Sequence, residues 1–161
     1  MTVAPLVAIE DLPPLLAPEA RLLGLDVGTK TIGLALSDVT RSIATPFGIV
    51  RRTKFTQDAK LIAAAIAEHD VGALVIGLPI NLDGSEGPRA QSTRAFARNL
   101  GALVKVPLVF WDERLSTQAV ERHLIEADAS RKRRAEVIDR MAAAYILQGA
   151  LDRLKRLSEL R

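Results

Sequence analysis

At 161 residues, 48% hydrophobic and 25% charged, the chain has the size and composition of one globular domain and lies far from the disordered range. It has no cysteine and only two histidines, His69 and His123, which excludes a disulfide scaffold, thiolate catalysis and Cys-based zinc sites and disfavours a Ser-His-Asp triad. A net charge of +3 does not by itself indicate nucleic acid, so any chemistry rests on carboxylates, hydroxyls and the placement of cations.

Residues 1–20 carry Pro5, Pro13, Pro14 and Pro18 and no Lys or Arg. They lack the basic start and unbroken apolar core of a secretory signal, and no apolar run of about 18 residues predicts a membrane span. They read as a flexible extension on a cytoplasmic domain formed by 21–161, although folding against the body is also compatible. Residues 22–27 are apolar apart from Gly24 and Asp26 and predict a strand. Gly28 supplies backbone freedom for a turn, and Thr29, Lys30 and Thr31 set hydroxyls, amides and one ammonium beside the acid. Residues 32–36 return as a second apolar strand, giving a central hairpin. Two readings stand for Asp26: an acid that holds a metal while the turn cradles phosphate, or an acid that caps its turn.

Residues 42–50 predict a third strand with an irregular start, since Pro46 suits an edge or bulge. A helix follows, with Thr56 as N-cap, Asp58 in its first turn and Leu61, Ile62, Ala65 and Ile66 on one face. It ends near His69, Asp70 and Gly72, with His69 in the C-terminal turn. Residues 73–79 form a short apolar strand suited to the middle of a sheet. The polar, Gly-rich loop 80–88, with Asn81, then stands at a strand's carboxyl end, where α/β sites lie. The next helix, 88–104, has an apolar face of Ala90, Phe96, Ala97, Leu100 and Val104. Its Arg94 and Arg98 point outward, either solvated or toward phosphate.

Strand 106–111 ends in Asp112, Glu113, Arg114, Leu115, Ser116 and Thr117, a cluster readable as a surface loop or as a site. Helix 118–127 carries His123 as a packing or surface residue. Arg131, Lys132, Arg133 and Arg134 form a basic run, expected as a mobile loop that meets an anionic partner. The final helix, 135–157, places Asp139, Ala142, Ala143, Ile146 and Ala150 on one narrow face. An acid on the buried face of an apolar helix is unusual.

Two unit charges 4 Å apart interact by about 4 kcal/mol at an effective dielectric near 20, so converging carboxylates require cations. Oxygen ligands without Cys or His select Mg²⁺ or Mn²⁺, and a pair of such ions is a standard device for phosphodiester cleavage. Lys30, Arg94, Arg98, Arg114 and the run 131–134 would neutralise a nucleic-acid backbone. With 4% aromatic residues, a structured or duplex substrate fits better than single strands on a stacking platform.

Four stretches together carry a resemblance: Leu25-Asp26-Val27-Gly28-Thr29-Lys30-Thr31-Ile32-Gly33, Gly77-Leu78-Pro79-Ile80-Asn81-Leu82-Asp83-Gly84, Asp112-Glu113-Arg114-Leu115-Ser116-Thr117, and Ile138-Asp139 with Ala142-Ala143. In this order and spacing, over residues 21–151, the chain closely resembles the YqgF family. These bacterial proteins are described both as Holliday junction resolvases and as pre-16S ribosomal RNA nucleases. The resemblance implies an α/β, RNase H-like fold: a mixed five-stranded sheet, three antiparallel strands then two parallel, with helices on both faces. It implies Asp26, Glu113 and Asp139 as catalytic, metal-holding acids, with Asp112 as a weaker candidate beside Glu113. Thr29, Lys30 and Asn81 would position phosphates. By analogy with the fold, hydrolysis would leave a 5′-phosphate and a 3′-hydroxyl.

The function expected is thus a Mg²⁺- or Mn²⁺-dependent endonuclease on structured nucleic acid, processing the 5′ end of precursor 16S ribosomal RNA in ribosome biogenesis. The small ribosomal subunit is a further candidate partner, and no membrane is expected. Two alternatives are Holliday junction resolution in DNA recombination and repair, and a non-catalytic RNA-binding assembly or transcription factor. The Asp26-Val27-Gly28-Thr29 turn also resembles the phosphate loop of actin-like sugar kinases and chaperone ATPases. Those close two lobes over a nucleotide, which 161 residues do not hold, so no nucleotide cofactor is expected.

Overall fold

Alternation along the first strand sorts the core into two layers. Leu23, Leu25 and Val27 enter one apolar cluster, while Leu22 enters another on the opposite face of the sheet. The computed structural model describes residues 4–115 and 131–160, the stretch 131–140 by its backbone. The strands are β1 (Arg21–Val27), β2 (Thr31–Ser37), β3 (Ala44–Arg51), β4 (Val71–Leu78) and β5 (Leu108–Asp112). They form one sheet in the order β3-β2-β1-β4-β5. β1 pairs antiparallel with β2, and β2 with β3. β1 pairs parallel with β4, and β4 with β5. Three antiparallel strands followed by two parallel ones is the expected topology.

Helices α1 (Phe55–Glu68) and α2 (Pro88–Gly101) cover one face through Ala59, Ile62, Ala65, Phe96, Ala97 and Leu100. The long helix α3 (Arg131–Glu159) covers the other through Ala143, Ile146, Leu147, Ala150 and Leu151. It lies directly on β1. A Cβ on Gly24 would stand 2.8 Å from the Leu147 Cβ and 2.9 Å from the Ala143 carbonyl oxygen, so only glycine permits this approach. Among the described residues, no helix is long and apolar enough to cross a membrane.

Several expectations need correction. Residues 4–20 are not a flexible extension. Ala4, Ile9 and Leu12 are buried, and two short 3₁₀ turns, Ile9–Asp11 and Pro13–Leu15, carry the chain over the body. The Val7 N–H donates to the Leu108 carbonyl and the Leu108 N–H to the Pro5 carbonyl, both at 2.9 Å. The segment thereby covers part of the edge that β5 would otherwise expose. Thr56 does not cap α1. The helix starts at Phe55, and the buried Asp58 carboxylate instead accepts the Thr53 backbone N–H at 3.2 Å. Leu61 lies outside the apolar face, 55% exposed. Ala142 is only half-buried, because the buried stripe of α3 runs through Ala143, Ile146 and Ala150.

The basic residues 131–134 begin α3 rather than forming a loop; Arg and Lys are good helix formers. The expected helix 118–127 with His123, and Ser116, Thr117 and Ser130, lie outside the described residues.

Candidate active site

Because β1, β4 and β5 run parallel, their carboxyl ends share one edge of the sheet. Asp26 follows the alternation of Leu22 and Gly24 toward α3. On β5, Val109 and Trp111 pack into the α3 layer, whereas Phe110 packs against the α1/α2 layer. The Glu113 N–H donates to the Leu78 carbonyl at 3.1 Å, which carries the ladder one residue past the end of β5. Alternation therefore sends Glu113 to the α3 face with Asp26 and sends Asp112 to the other face.

Glu113 reaches across the intervening β4 at Gly77. A Cβ there would stand 2.7 Å from Glu113 Oε1 and 2.5 Å from Ile146 Cδ1, so this bare position makes the crossing possible. The Glu113 carboxyl is hydrogen-bonded to the Asp26 carboxylate. Burial, then the Asp26 charge and that hydrogen bond, push its pKa from the usual 4.5 up to about 7. Asp112 adds to the rise, and the Arg89 guanidinium opposes it. The two carboxyl groups thus meet in one hydrogen-bonded contact at this end of the sheet, with Glu113 held toward its protonated form.

Asp112 is engaged differently. Arg114 grips it through Nε, at 3.1 and 3.0 Å to the two oxygens, and through Nη2 at 2.7 Å; the Arg114 backbone N–H adds a bond at 2.9 Å. This grip holds the Asp112 carboxyl below its ordinary range. Asp139 lies on α3 one turn before Ala143, the residue whose carbonyl overhangs Gly24. Among the described residues, no three His, Cys, Asp or Glu stand together as a metal cage; Asp26 and Glu113 are a pair.

Thr29 and Lys30 stand exposed on the β1–β2 turn. Gly28 supports the turn without a left-handed conformation; the closeness of the Thr31 carbonyl, 2.9 Å from where a Cβ would sit, is what demands glycine. Arg52 braces this turn. Its Nη1 donates to the Gly28 carbonyl at 2.7 Å, its backbone N–H donates to the Lys30 carbonyl at 2.9 Å, and its guanidinium lies 5.4 Å from the Phe96 ring centroid. Asn81 is bound within its own loop, its Nδ2 donating to Ser85 Oγ at 3.1 Å.

Arg94 pairs with Glu86 at 2.6 Å and lies over the Phe110 ring at 5.0 Å, while Arg98 lines with it a cavity of about 280 Å³ beside Ala4, Leu6 and Phe110. Both arginines therefore belong to the α2 layer, not to the face of the acid pair. Arg131, Lys132, Arg133 and Arg134 occupy the first turn of α3.

Sequence reasoning missed Arg89, Arg52 and the crossing at Gly77. The adjacent pair Arg51-Arg52 at a strand end was the available signal for one of them; nothing local marks Arg89.

A family model described as "RuvX: Holliday junction resolvase" matches residues 20–153. A protein of Paramagnetospirillum magneticum is 64% identical over 148 residues, covering 92% of this chain and 96% of its own length. One of Methylocella silvestris is 60% identical over 154 residues, 96% of each chain. Both bear the name "Putative pre-16S rRNA nuclease". Among solved structures, RuvC of Thermus thermophilus in complex with Holliday junction substrate aligns with a TM-score of 0.57 at 11% identity, over 86% of this chain and 96% of that one. The yeast mitochondrial Holliday junction resolvase aligns at 0.55 and 11%, over 95% and 85%. At such identities the two structures show a shared fold.

Proposed function

Given that the chain belongs to the RuvX, or YqgF, family, we propose that it is a metal-dependent endonuclease that processes the 5′ end of precursor 16S ribosomal RNA. The observation that carries this reading is the Asp26–Glu113 pair, joined over Gly77 at the carboxyl edge of the parallel strands. The names of the close relatives support the RNA target. The same reading makes 21–161, with residues 4–20 seated on it, one nuclease domain, active in the cytoplasm with the small ribosomal subunit as partner.

The donor set suits Mg²⁺ or Mn²⁺: carboxylate oxygens alone, those of Glu113 and Asp26 in hydrogen-bond contact through a proton that a cation would displace from Glu113. Asp26 and Glu113 would hold the ion, with Asp139 as the third ligand. Bound there, a divalent cation supplies charge neutralisation of the phosphate and a water that ionises near neutral pH. Lys30 and Thr29, on their braced turn, bind phosphate oxygens. Arg89 sets its positive charge beside Glu113 and on the strand that is cut. Asp112 fixes Arg114 instead of ligating.

A second reading, cleavage of four-way DNA junctions, is favoured by the description of the family and by the fold shared with junction resolvases. The test offers the purified protein a labelled precursor of small-subunit ribosomal RNA and a synthetic four-way DNA junction, each with Mg²⁺, with Mn²⁺ and with chelator. Metal-dependent cutting of the RNA alone is expected. Cutting of the junction alone replaces the substrate, and tight binding without cutting of either overturns the nuclease.

A further inference from the structure

The loop 79–87 joins β4 to α2 beside the acid pair, starting just after Leu78, the partner of the Glu113 N–H. It is stiff. Pro79 and Pro88 bracket it, and a turn closes where the Gly84 N–H donates to the Asn81 carbonyl at 2.8 Å. The Asn81 N–H donates to the Ser85 carbonyl at 2.9 Å, and the Asp83 carboxylate accepts from the Ser85 backbone at 2.9 Å and its hydroxyl at 2.6 Å. Gly84, at φ +89°, takes a conformation that strains other residues. One arginine fastens the loop and a second stands beside it. Arg94 holds Glu86 at 2.6 Å, and the Arg114 guanidinium lies 3.8 Å from where Gly84 would carry a Cβ.

On this polar scaffold of Asn, Asp, Gly, Ser and Glu, the second residue of the turn is Leu82. At 88% it is the most exposed large apolar side chain among the described residues. A lone exposed leucine on an ordinary surface needs no explanation. This one stands at the tip of a hydrogen-bonded loop, four residues from Leu78, and so within roughly 20 Å of the Glu113 backbone. The Arg114 guanidinium sets positive charge on Asp83, the next residue of the turn, and Arg89 sets it on Glu113.

We infer that Leu82 is an apolar wedge that enters the base stack of the substrate where stacking is already interrupted, at a branch, a bulge or a duplex end. The inference rests on the nuclease reading and adds how the cleavage position is chosen. Inserting leucine into an intact duplex costs the stacking of one base step; at an interruption that stacking is already lost. The wedge therefore favours discontinuities, and because its loop is already ordered, little further freedom is lost on insertion.

The test is made in chelator, so that binding is read without cleavage. The probes are a four-way DNA junction and an RNA duplex with a single-stranded 5′ extension, each with 2-aminopurine at the discontinuity, and an uninterrupted duplex as control. The wild type should raise 2-aminopurine fluorescence on binding. Leu82→Ser should abolish the rise and weaken binding to the interrupted probes about tenfold, leaving the plain duplex unchanged; Leu82→Phe should keep the rise. Wild type and Leu82→Ser binding equally, without a fluorescence rise, overturns the wedge and leaves the nuclease intact, as a leucine serving a protein partner would behave. No binding of any probe by the wild type overturns both.

Discussion

Glu113 and Asp26 share a hydrogen bond although their strands are not neighbours: the glutamate crosses β4 at Gly77, the one place where no side chain stands in its way. Family membership points to nuclease chemistry, and the proposed function places that chemistry at this crossing. It also makes the pair sensitive to protons, to cations and to the size of residue 77.

The first consequence concerns pH. In the folded, metal-free chain Glu113 ionises near 7, against 4.5 in the unfolded chain. Between those values the folded state binds more protons than the unfolded state, so stability falls as pH rises from about 4.5 to about 7. This group accounts for about 2 kcal/mol after allowance for its partial exposure. Chemical denaturation at pH 5 and pH 8 in chelator should show that loss in the wild type, and Glu113→Gln should flatten it.

A cation in place of the Glu113 proton reverses the trend. At pH 8, Mn²⁺ at about 100 times its dissociation constant should stabilise the wild type by about 2.7 kcal/mol. A melting-temperature rise of about 5–10 °C follows for a chain of this size. Asp26→Asn and Glu113→Gln should each lose most of that rise, whereas Asp112→Asn, which only releases Arg114, should keep it.

Packing at the crossing is the third point. Gly77→Ala puts a methyl 2.5 Å from Ile146 Cδ1 and 2.7 Å from Glu113 Oε1. It should cost about 1–3 kcal/mol and displace the acid, lowering activity at temperatures where the protein remains folded. Gly48→Ala is the control. On edge strand β3 a Cβ at that position meets nothing within 4 Å, so stability should hold or rise by a few tenths of a kcal/mol. Equal losses for both would contradict the crossing.

Residues 4–20 belong to the folded unit. Leu12 is fully buried beneath its two 3₁₀ turns, so Leu12→Ala should cost about 2–5 kcal/mol in urea denaturation. No loss would mean that the segment is not seated on the body.

The strands, their pairing and the acids at their ends follow from the sequence because apolar runs and turn residues are local signals. The choice between Asp112 and Glu113 is not local. β5 is apolar on both faces at Leu108 and Val109, so the run carries no period to say which acid turns toward α3. Only the pairing with β4 and the Glu113–Leu78 hydrogen bond set that phase. Residues 4–20 misled because four prolines suggest a loose tail, while Leu12 buries itself from within short turns that have no helical period. Arg52 and Arg89 escaped because a cation's role depends on what lies across space from it. In the basic run 131–134 mutual repulsion argues for a loop, but helix propensity prevails.

The most direct measurement compares single-turnover cleavage by the wild type, Asp26→Asn, Glu113→Gln and Asp112→Asn on one labelled precursor RNA, with binding measured in chelator. The account predicts losses on the order of 10³-fold for Asp26→Asn and Glu113→Gln, about 4 kcal/mol of barrier, with dissociation constants within a few-fold of wild type and Asp112→Asn close to wild type. Cleavage that survives both substitutions, or that is lost with Asp112→Asn instead, would contradict it.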